Sequence, residues 1–327
     1  MTTPISAILR RAIGIDTPNI LTNITHAGYE YNLSKASAIF YSLSKVNNEK
    51  RVWDEHNRPC PANYHVLDDI NSLPEWLDID ILFSQHKWGS FQIMSKIANA
   101  IGIPHINLEH TLPNSNSTKE ELEAYRSLNA DINVFISEYS RDAWGYTQEN
   151  SVVIKHGLDT SVFTPGNQVR EPVILSVVNR WIERDYCCGF KIWERVTKDL
   201  PVFPVGDTPG LSKPAENLEQ LIKFYQSAQV FINTSTVSPI PSTLIEAMAC
   251  GCPVVSTATC MIPEVIVDGY NGFITNDEEQ MREKTIMLLN NPKLAAQIGN
   301  NARKTIEDQF SLGRFTNDWN QLFARVL

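Results

Sequence analysis

The sequence predicts an α/β protein of two domains, each a parallel β-sheet with helices on both faces. Short apolar runs alternate with segments of helical periodicity, and 327 residues are enough to form two hydrophobic cores. Residues 229–257 contain the clearest unit, an apolar run, a helix and a second apolar run. A helix between two apolar strands is typical of a right-handed crossover in a covered parallel sheet.

The helix of this unit has recognisable ends. Pro241 lacks an N–H and has the φ angle of a first helical turn, and Gly251 followed by Pro253 predicts the stop. Thr243 and Glu246 are three residues apart, which is the spacing of a capping box. The sequence therefore predicts a helix that begins at Pro241 and ends before Gly251.

The start of this helix is a candidate anion site. Ligands of parallel sheets bind outside the carboxyl ends of the strands, so residues 234–241 are expected to face a cleft. The N–H groups of Ser242, Thr243 and Leu244 are placed to bind a phosphate. Glu246, one turn further on, can accept two hydroxyls of a ribose, or it can act as a capping-box residue only.

The remaining apolar runs predict further strands and helices. The first strand, residues 19–25, is followed by Gly28, where backbone can approach a ligand closely. The periodicity predicts a helix over residues 33–46. Other predicted strands are residues 79–84, 104–108, 132–137, 172–178 and 202–205, and other predicted helices are residues 91–101, 119–128 and 218–227.

Histidines follow two of these strands. His86 and His110 come directly after residues that we expect to end at the same edge of one sheet, which is where ligands bind. An imidazole there can act on a ligand or form a hydrogen bond with a neighbouring loop. We interpret His110 as functional, and His86, His26 and His105 as structural.

Arginines follow the strand at residues 172–178. A bound phosphate group carries charge that a net-acidic protein must neutralise locally, and Arg180 and Arg184 are in a suitable place to do so. Arg184 has a second interpretation, an ion pair with an acidic neighbour on an exposed turn.

The composition excludes several functions. A net charge of −9 and a pI of about 5.3 argue against nucleic acid as a partner. The six cysteines lack the paired spacing of a zinc site or of a disulfide framework, so we expect no metal and reduced thiols in a cytoplasmic protein. Apolar runs are too short for a transmembrane helix.

The N-terminal segment is amphipathic. Ile5, Leu9 and Ile13 recur at helical spacing beside Arg10 and Arg11. This pattern is compatible with peripheral contact with a membrane and with a helix that packs on its own domain.

Residues 238–255 and 263–274 resemble the donor-site signature of retaining glycosyltransferases of family four, which have the GT-B fold. The resemblance implies two Rossmann-like, doubly wound domains that face each other across a cleft. We expect an acceptor-side domain at residues 1–165, a nucleotide-sugar domain at residues 166–308, and a last helix at residues 309–327 that returns to the first domain.

The resemblance also implies roles for individual residues. The family has two glutamates separated by seven residues; the second matches Glu246, but the first, which contacts the donor sugar, falls on Ser238. His110 matches a histidine close to the sugar, and Gly28 falls in a loop near donor and acceptor. Arg180 matches a family arginine.

The family lysine, five residues after that arginine, falls on Asp185. The second cation is therefore Arg184 or Lys191.

The expected activity is transfer of a sugar from a UDP- or GDP-linked donor to a hydroxyl of a glycan, lipid or polysaccharide precursor. No cofactor is required for this chemistry. The alternative is a non-catalytic GT-B protein that binds nucleotide or glycan as a partner subunit, as the exchange at Ser238 suggests. The absence of a G-x-G-x-x-G after the first strand argues against a dehydrogenase.

Overall fold

The computed structural model describes residues 17–46, 49–55, 58–114, 117–147, 149 and 151–327. They form two compact units. The first comprises the described residues up to Gly157 together with Leu312–Leu327, and the second comprises Leu158–Ser311. In the described residues each unit contains a parallel sheet, of seven strands in the first and five in the second, so the predicted α/β class is confirmed.

The sequence analysis made two predictions about membranes, one on the N-terminal segment and one on transmembrane helices. The amphipathic segment with Ile5, Leu9 and Ile13 lies outside the described residues. Of the helices in the described ranges, none is long and apolar enough to cross a bilayer.

The first unit is built on a sheet with strand order β5-β2-β1-β6-β7-β8-β9, in which all neighbours are parallel. Helices connect most of its strands. The strands are β1 (Asn19–Asn23), β2 (Ile39–Leu43), β3 (Lys45–Val46), β4 (Glu49–Lys50), β5 (Tyr64–Leu67), β6 (Ile81–Gln85), β7 (His105–Glu109), β8 (Ile132–Phe135) and β9 (Ser151–Val153); β3 and β4 form a separate antiparallel hairpin. The helices are α1 (Ala27–Leu33), α2 (Phe91–Ile101), α3 (Lys119–Arg126) and α4 (Glu138–Ala143), with a 3₁₀ turn at Ile70–Ser72 and a π-turn at His86–Ser90.

The predicted helix over residues 33–46 is wrong. The helix α1 ends at Leu33, and Ile39–Leu43 is strand β2, which pairs with β1 so that Ile39 lies opposite Asn19. Ile39, Phe40 and Tyr41 are β-branched or aromatic residues that favour a strand. Phe40 is fully buried in the core of this unit. Burial as part of the sheet therefore outweighs the helical periodicity of the sequence.

The second unit contains a smaller sheet with strand order β11-β10-β12-β13-β14, again parallel throughout. Its strands are β10 (Glu171–Val177), β11 (Val202–Val205), β12 (Ala228–Asn233), β13 (Val254–Ser256) and β14 (Phe273–Ile274). Its helices are α5 (Asp185–Cys188), α6 (Phe190–Val196), α7 (Leu218–Ser227), α8 (Ser242–Ala249), α9 (Ile262–Val265), α10 (Glu278–Asn290) and α11 (Pro292–Phe310). The predicted strand–helix–strand unit is confirmed as β12, α8 and β13, with Phe231 opposite Val254.

The last helix, α12 (Leu312–Val326), belongs to the first unit. Its apolar stripe is buried in the same core as β1 and β6. Trp319 is fully buried and meets the ring of Phe83 edge-on, with 5.5 Å between ring centroids. The apolar side of α12 is thus a packing surface for this unit.

The helix α11 approaches the end of α8 so closely that only glycine fits at Gly299. A Cβ built there would lie 2.1 Å from the carbonyl oxygen of Gly251. We expect Gly299→Ala to destabilise the protein by about 2 kcal/mol, because overpacking against backbone outweighs the roughly 1 kcal/mol gain in helix propensity. Urea unfolding measures the change.

Gly313→Ala is the matched control for this prediction. Gly313 also lies in a helix, and among the described residues no atom is within 4 Å of its Cβ position. We expect it to be neutral or to stabilise the protein by about 0.5 kcal/mol. Equal stabilities of the two variants would contradict the close approach at Gly251.

Candidate active site

The start of α8 lies at the carboxyl end of β12, as predicted. Its N-cap is Pro241, whose carbonyl accepts a hydrogen bond from the N–H of Leu244 at 3.1 Å. The N–H of Leu244 is therefore already engaged, which corrects the prediction for this residue. Ser242 and Thr243 occupy the first turn, where N–H groups have no acceptor within the helix. Ser242 is exposed and Thr243 is half-buried, so these two remain as candidate anion donors.

The capping box predicted for Thr243 and Glu246 is wrong. The N-cap is a proline without a side-chain cap, and Glu246 bonds elsewhere. Its Oε2 accepts a hydrogen bond from the Tyr225 hydroxyl at 2.8 Å. Tyr225 lies in α7 and is fully buried; burial, and then the charge of Glu246, raises the pKa of this phenol well above its ordinary value. The carboxylate of Glu246 is thereby held in one orientation.

The loop that leads into α8 is tied to α5. The N–H of Thr236 donates to the carbonyl of Cys187 at 2.9 Å, and the hydroxyl of Thr234 donates to the carbonyl of Gly189 at 2.9 Å. On its other side, the hydroxyls of Thr257 and Thr259 donate to the carbonyl of Ser235. The loop is therefore anchored on both sides at the carboxyl edge of the sheet.

Arg184 is the N-cap residue of α5, the helix to which this loop is tied. Its side chain is exposed, and its Nη1 lies 3.5 Å from the carbonyl of Asn179. The alternative cation, Lys191, has its Nζ 3.8 Å from a carboxylate oxygen of Asp185. Arg184 therefore precedes the helix to which the loop between β12 and α8 is hydrogen-bonded.

Arg180 lies at the end of β10, which pairs with β12. Its backbone has a φ of 51°, uncommon for a residue other than glycine, and its N–H donates to the carbonyl of Asp207 at 2.7 Å. Its guanidinium is exposed and contacts Glu183 at 2.6 Å. The acidic partner considered for Arg184 is therefore found on Arg180.

Ser238 is half-buried in the loop between β12 and α8. Like Ser242 and Thr243, it lies at the carboxyl ends of the strands of the second sheet. A hydroxyl at this position can donate or accept a hydrogen bond but carries no charge.

In the first unit, His110 follows β7 and lies among other aromatic rings. Its ring centroid is 5.2 Å from that of His86, 6.4 Å from that of His26 and 4.7 Å from that of Tyr29. Burial, and then the nearby imidazoles of His86, His26 and His156, lowers the pKa of His110 well below 6.5. His110 is therefore neutral at physiological pH.

The other histidines differ in their surroundings. The Nδ1 of His86 is 3.1 Å from the buried carboxylate of Glu109. His105 is buried, and its Nε2 is 2.8 Å from the hydroxyl of Ser84, which agrees with a structural role. The sequence predicted that His86 and His110 would lie at the same edge of the sheet, but it did not indicate that the ring of His26 would lie near them.

Gly28 does not lie in a loop, which corrects the prediction. It is the second residue of α1, because the helix begins directly after His26. The Nδ1 of His26 accepts a hydrogen bond from the N–H of Tyr29 at 3.2 Å and so caps the helix. A cleft of about 380 Å³ lies here instead, lined by Ile24, Thr25, His26, Ala27, Arg51, Val52 and Asp54.

Glu30, in α1, has a buried carboxyl group. It is 1% exposed, and its Oε1 accepts a hydrogen bond from the N–H of Thr25 at 2.8 Å. Burial raises its pKa from 4.5 to about 7. A folded-state pKa above the unfolded one contributes stability at low pH, and this contribution is lost as the pH rises through about 7.

We therefore expect Glu30→Gln to change the pH dependence of stability. The wild-type protein should lose roughly 2 kcal/mol more than the variant between pH 5 and pH 8, because only the wild-type must ionise a buried carboxyl. Chemical unfolding at a series of pH values measures this. Parallel stability curves for the two proteins would contradict the raised pKa.

Within the described residues, no group of three or more His, Cys, Asp or Glu side chains is placed to hold a metal ion.

Comparisons with known proteins identify the class. Residues 214–305 match the family Glycosyl transferases group 1. An uncharacterized glycosyltransferase of Haemophilus influenzae is 23% identical over 285 residues, which are 78% of this chain and 79% of the relative. Another, of Methanocaldococcus jannaschii, is 27% identical over 114 residues, which are 34% of this chain but only 29% of the relative.

The fold is similar to that of a solved structure. HepE of Anabaena superposes with a TM-score of 0.77 at 14% identity, covering 94% of this chain and 100% of HepE. Two parallel-sheet domains with such neighbours define a GT-B protein, and its class is that of the glycosyltransferases. Residues 214–305 thus match the glycosyl transferases group 1, which is family four, and the relative that aligns over most of the chain is also a glycosyltransferase.

Proposed function

We propose that this glycosyltransferase moves a sugar from a UDP-linked donor to a hydroxyl of a glycan, lipid or polysaccharide precursor, with retention at the anomeric carbon. The observation that supports the proposal lies at the carboxyl ends of the second sheet's strands: α8 begins there, Tyr225 orients Glu246, and the loop before α8 is hydrogen-bonded to α5, whose N-cap is Arg184. HepE has been crystallised with UDP and with UDP-glucose, which makes UDP-glucose the first donor to test.

Each residue at this edge has a role in the proposal. The N–H groups of Ser242 and Thr243, with Arg180 and Arg184, bind the diphosphate and stabilise it as the leaving group. Glu246, oriented by the Tyr225 hydroxyl, accepts hydrogen bonds from the ribose. These groups supply binding and charge stabilisation, which are the main requirements of this reaction.

Two residues are assigned to the sugar. Ser238 donates a hydrogen bond to a sugar hydroxyl where the family has a carboxylate. His110 has the sugar-contacting role that the resemblance implies. Its neutral state is suited to hydrogen bonding with an uncharged sugar.

Arg180 must exchange Glu183 for a phosphate when the donor binds. Both side chains are exposed, so the ion pair contributes little to stability and the exchange costs little. We expect Arg180→Ala to weaken UDP binding about 10-fold, since a charge-assisted hydrogen bond to phosphate is lost. Calorimetric titration with UDP measures the affinity.

Arg195→Ala is the matched control. Arg195 is another exposed arginine of the same unit and contacts Glu278 at 2.6 Å. The two variants lose the same kind of ion pair, so only the phosphate contact distinguishes them. Equal UDP affinities would remove Arg180 from the donor site.

A second candidate is a non-catalytic GT-B protein that binds a nucleotide sugar, and Ser238 is the observation that favours it. A panel of UDP- and GDP-linked sugars separates the two candidates. Nucleotide release that a glycan acceptor accelerates supports the transferase. Binding without release across the panel supports the second candidate, and absence of binding contradicts both.

A further inference from the structure

A buried chain of hydrogen bonds connects α1 to His110 through Gln85. Gln85, the last residue of β6, and Glu30 are each 1% exposed. The Nε2 of Gln85 lies 2.6 Å from the Oε1 of Glu30 and 2.9 Å from the backbone oxygen of Asn23. The Oε1 of Gln85 lies 2.8 Å from the Nε2 of His110.

The partners of Gln85 determine which way its amide points. The backbone oxygen of Asn23 can only accept a hydrogen bond, so the amide nitrogen must face it. The amide oxygen is then the atom that faces His110. An amide oxygen cannot donate, so the Nε2 of His110 carries a proton.

The groups around His110 keep the ring uncharged. Burial is the main cause of its lowered pKa, and the nearby imidazoles of His86, His26 and His156 lower it further. Tyr29 meets the ring edge-on. Glu109, the nearest carboxylate on β7, is bonded to His86 and Thr111 and to the N–H of Lys87. A neutral ring with a proton on Nε2 has its lone pair on Nδ1.

We propose that Gln85, anchored by Glu30 and Asn23, is a positioning residue that holds His110 as the neutral Nε2–H tautomer and makes its Nδ1 a hydrogen-bond acceptor. Resting on the proposed function, this makes the ligand group at His110 a hydroxyl of a neutral sugar. A carboxylate would meet a lone pair instead of a donor, so a uronic acid donor is disfavoured at this position.

The tautomer can be read without any substrate. In the full-length protein labelled with ¹⁵N-histidine, long-range ¹H–¹⁵N spectra distinguish protonated from unprotonated ring nitrogens, and His110→Gln assigns the signals. We expect a protonated Nε2 and an unprotonated Nδ1 for His110 at pH 7. A protonated Nδ1, or a doubly protonated ring, would overturn the proposal.

Two variants separate positioning from packing. Gln85→Leu removes the acceptor and should release the tautomer preference of His110, whereas a purely structural role would leave it unchanged. Gln85→Glu keeps the size and places a carboxyl beside Nε2, which should raise the pKa of His110. If Gln85→Leu does not fold, an unchanged His110 titration in Gln85→Glu would overturn the proposal.

Turnover supplies the second readout. We expect Gln85→Leu to lower kcat with UDP-glucose about 10-fold with little change in KM, as expected for a misoriented polar group. We expect wild-type protein to prefer UDP-glucose over UDP-glucuronic acid, and Gln85→Glu to reduce that preference. If the spectra are as expected but no sugar is turned over, the proposed transferase activity is refuted. The inference that Gln85 positions His110 would then still hold.

Discussion

Glu246→Gln is expected to weaken UDP binding about 100-fold, because the carboxylate is the group proposed to accept both ribose hydroxyls. The amide that replaces it has one acceptor oxygen and presents a donor to the second hydroxyl. The Tyr225 hydroxyl, which donates to Oε2 at 2.8 Å, holds the side chain toward the edge of the sheet. Calorimetric titration with UDP, with uridine as a phosphate-free probe, measures the loss.

Two further variants show whether this loss belongs to the ribose contact. Glu279→Gln makes the same change of charge at an exposed position in the first turn of α10, and it should leave UDP affinity unchanged. Tyr225→Phe keeps the carboxylate and removes its orienting hydrogen bond, and an intermediate loss of about 5-fold is expected. If Glu246→Gln binds UDP as tightly as wild type, Glu246 is only a structural partner of Tyr225.

Gly189→Ala is expected to destabilise the protein by about 4 kcal/mol. The fraction of the variant that still folds is expected to bind UDP more weakly. Gly189 has a φ of 63°, and a Cβ there would lie 2.0 Å from the carbonyl oxygen of Thr234. The cost combines a left-handed backbone with displacement of the loop that leads into α8. Urea unfolding and UDP titration at low temperature measure the two effects.

Gly210→Ala isolates the backbone contribution. Gly210 has a φ of 81°, also left-handed, but among the described residues no atom lies within 4 Å of its Cβ position. Its variant should lose only the roughly 1 kcal/mol that the left-handed conformation costs an alanine. A comparable loss in both variants would show that the approach to Thr234 contributes nothing.

The sequence predicted the strand–helix–strand unit of β12, α8 and β13 because every signal in it is local. Apolar runs define the two strands, and Pro241 with Gly251 bounds the helix. Helix α2 was predicted with its observed ends for the same reason, since Gly102 adopts the left-handed conformation that stops it. Apolar runs in the sequence also predicted that His110 and Arg184 would follow the carboxyl ends of β-strands.

The errors lie where residues distant in sequence compete for a group. Glu246 was expected to cap its own helix, but the phenol of Tyr225 takes its carboxylate. The helix predicted over residues 33–46 is a strand because β1 and β5 offer backbone pairing on both sides of Ile39–Leu43. One error is local: Gly28 is helical because His26 caps a helix that begins at Ala27, six residues before the start that periodicity predicted.

The sequence by itself determined the parallel α/β architecture and which strand ends carry ionisable residues, because periodicity, turn residues and caps act within a few positions of each other. Only the tertiary structure decided the partners of those residues. The Tyr225 contact of Glu246 and the Gln85 contact of His110 depend on side-chain distances that no spacing encodes. In particular, the neutral state of His110 follows from its burial and from imidazoles that three different segments of the chain contribute nearby.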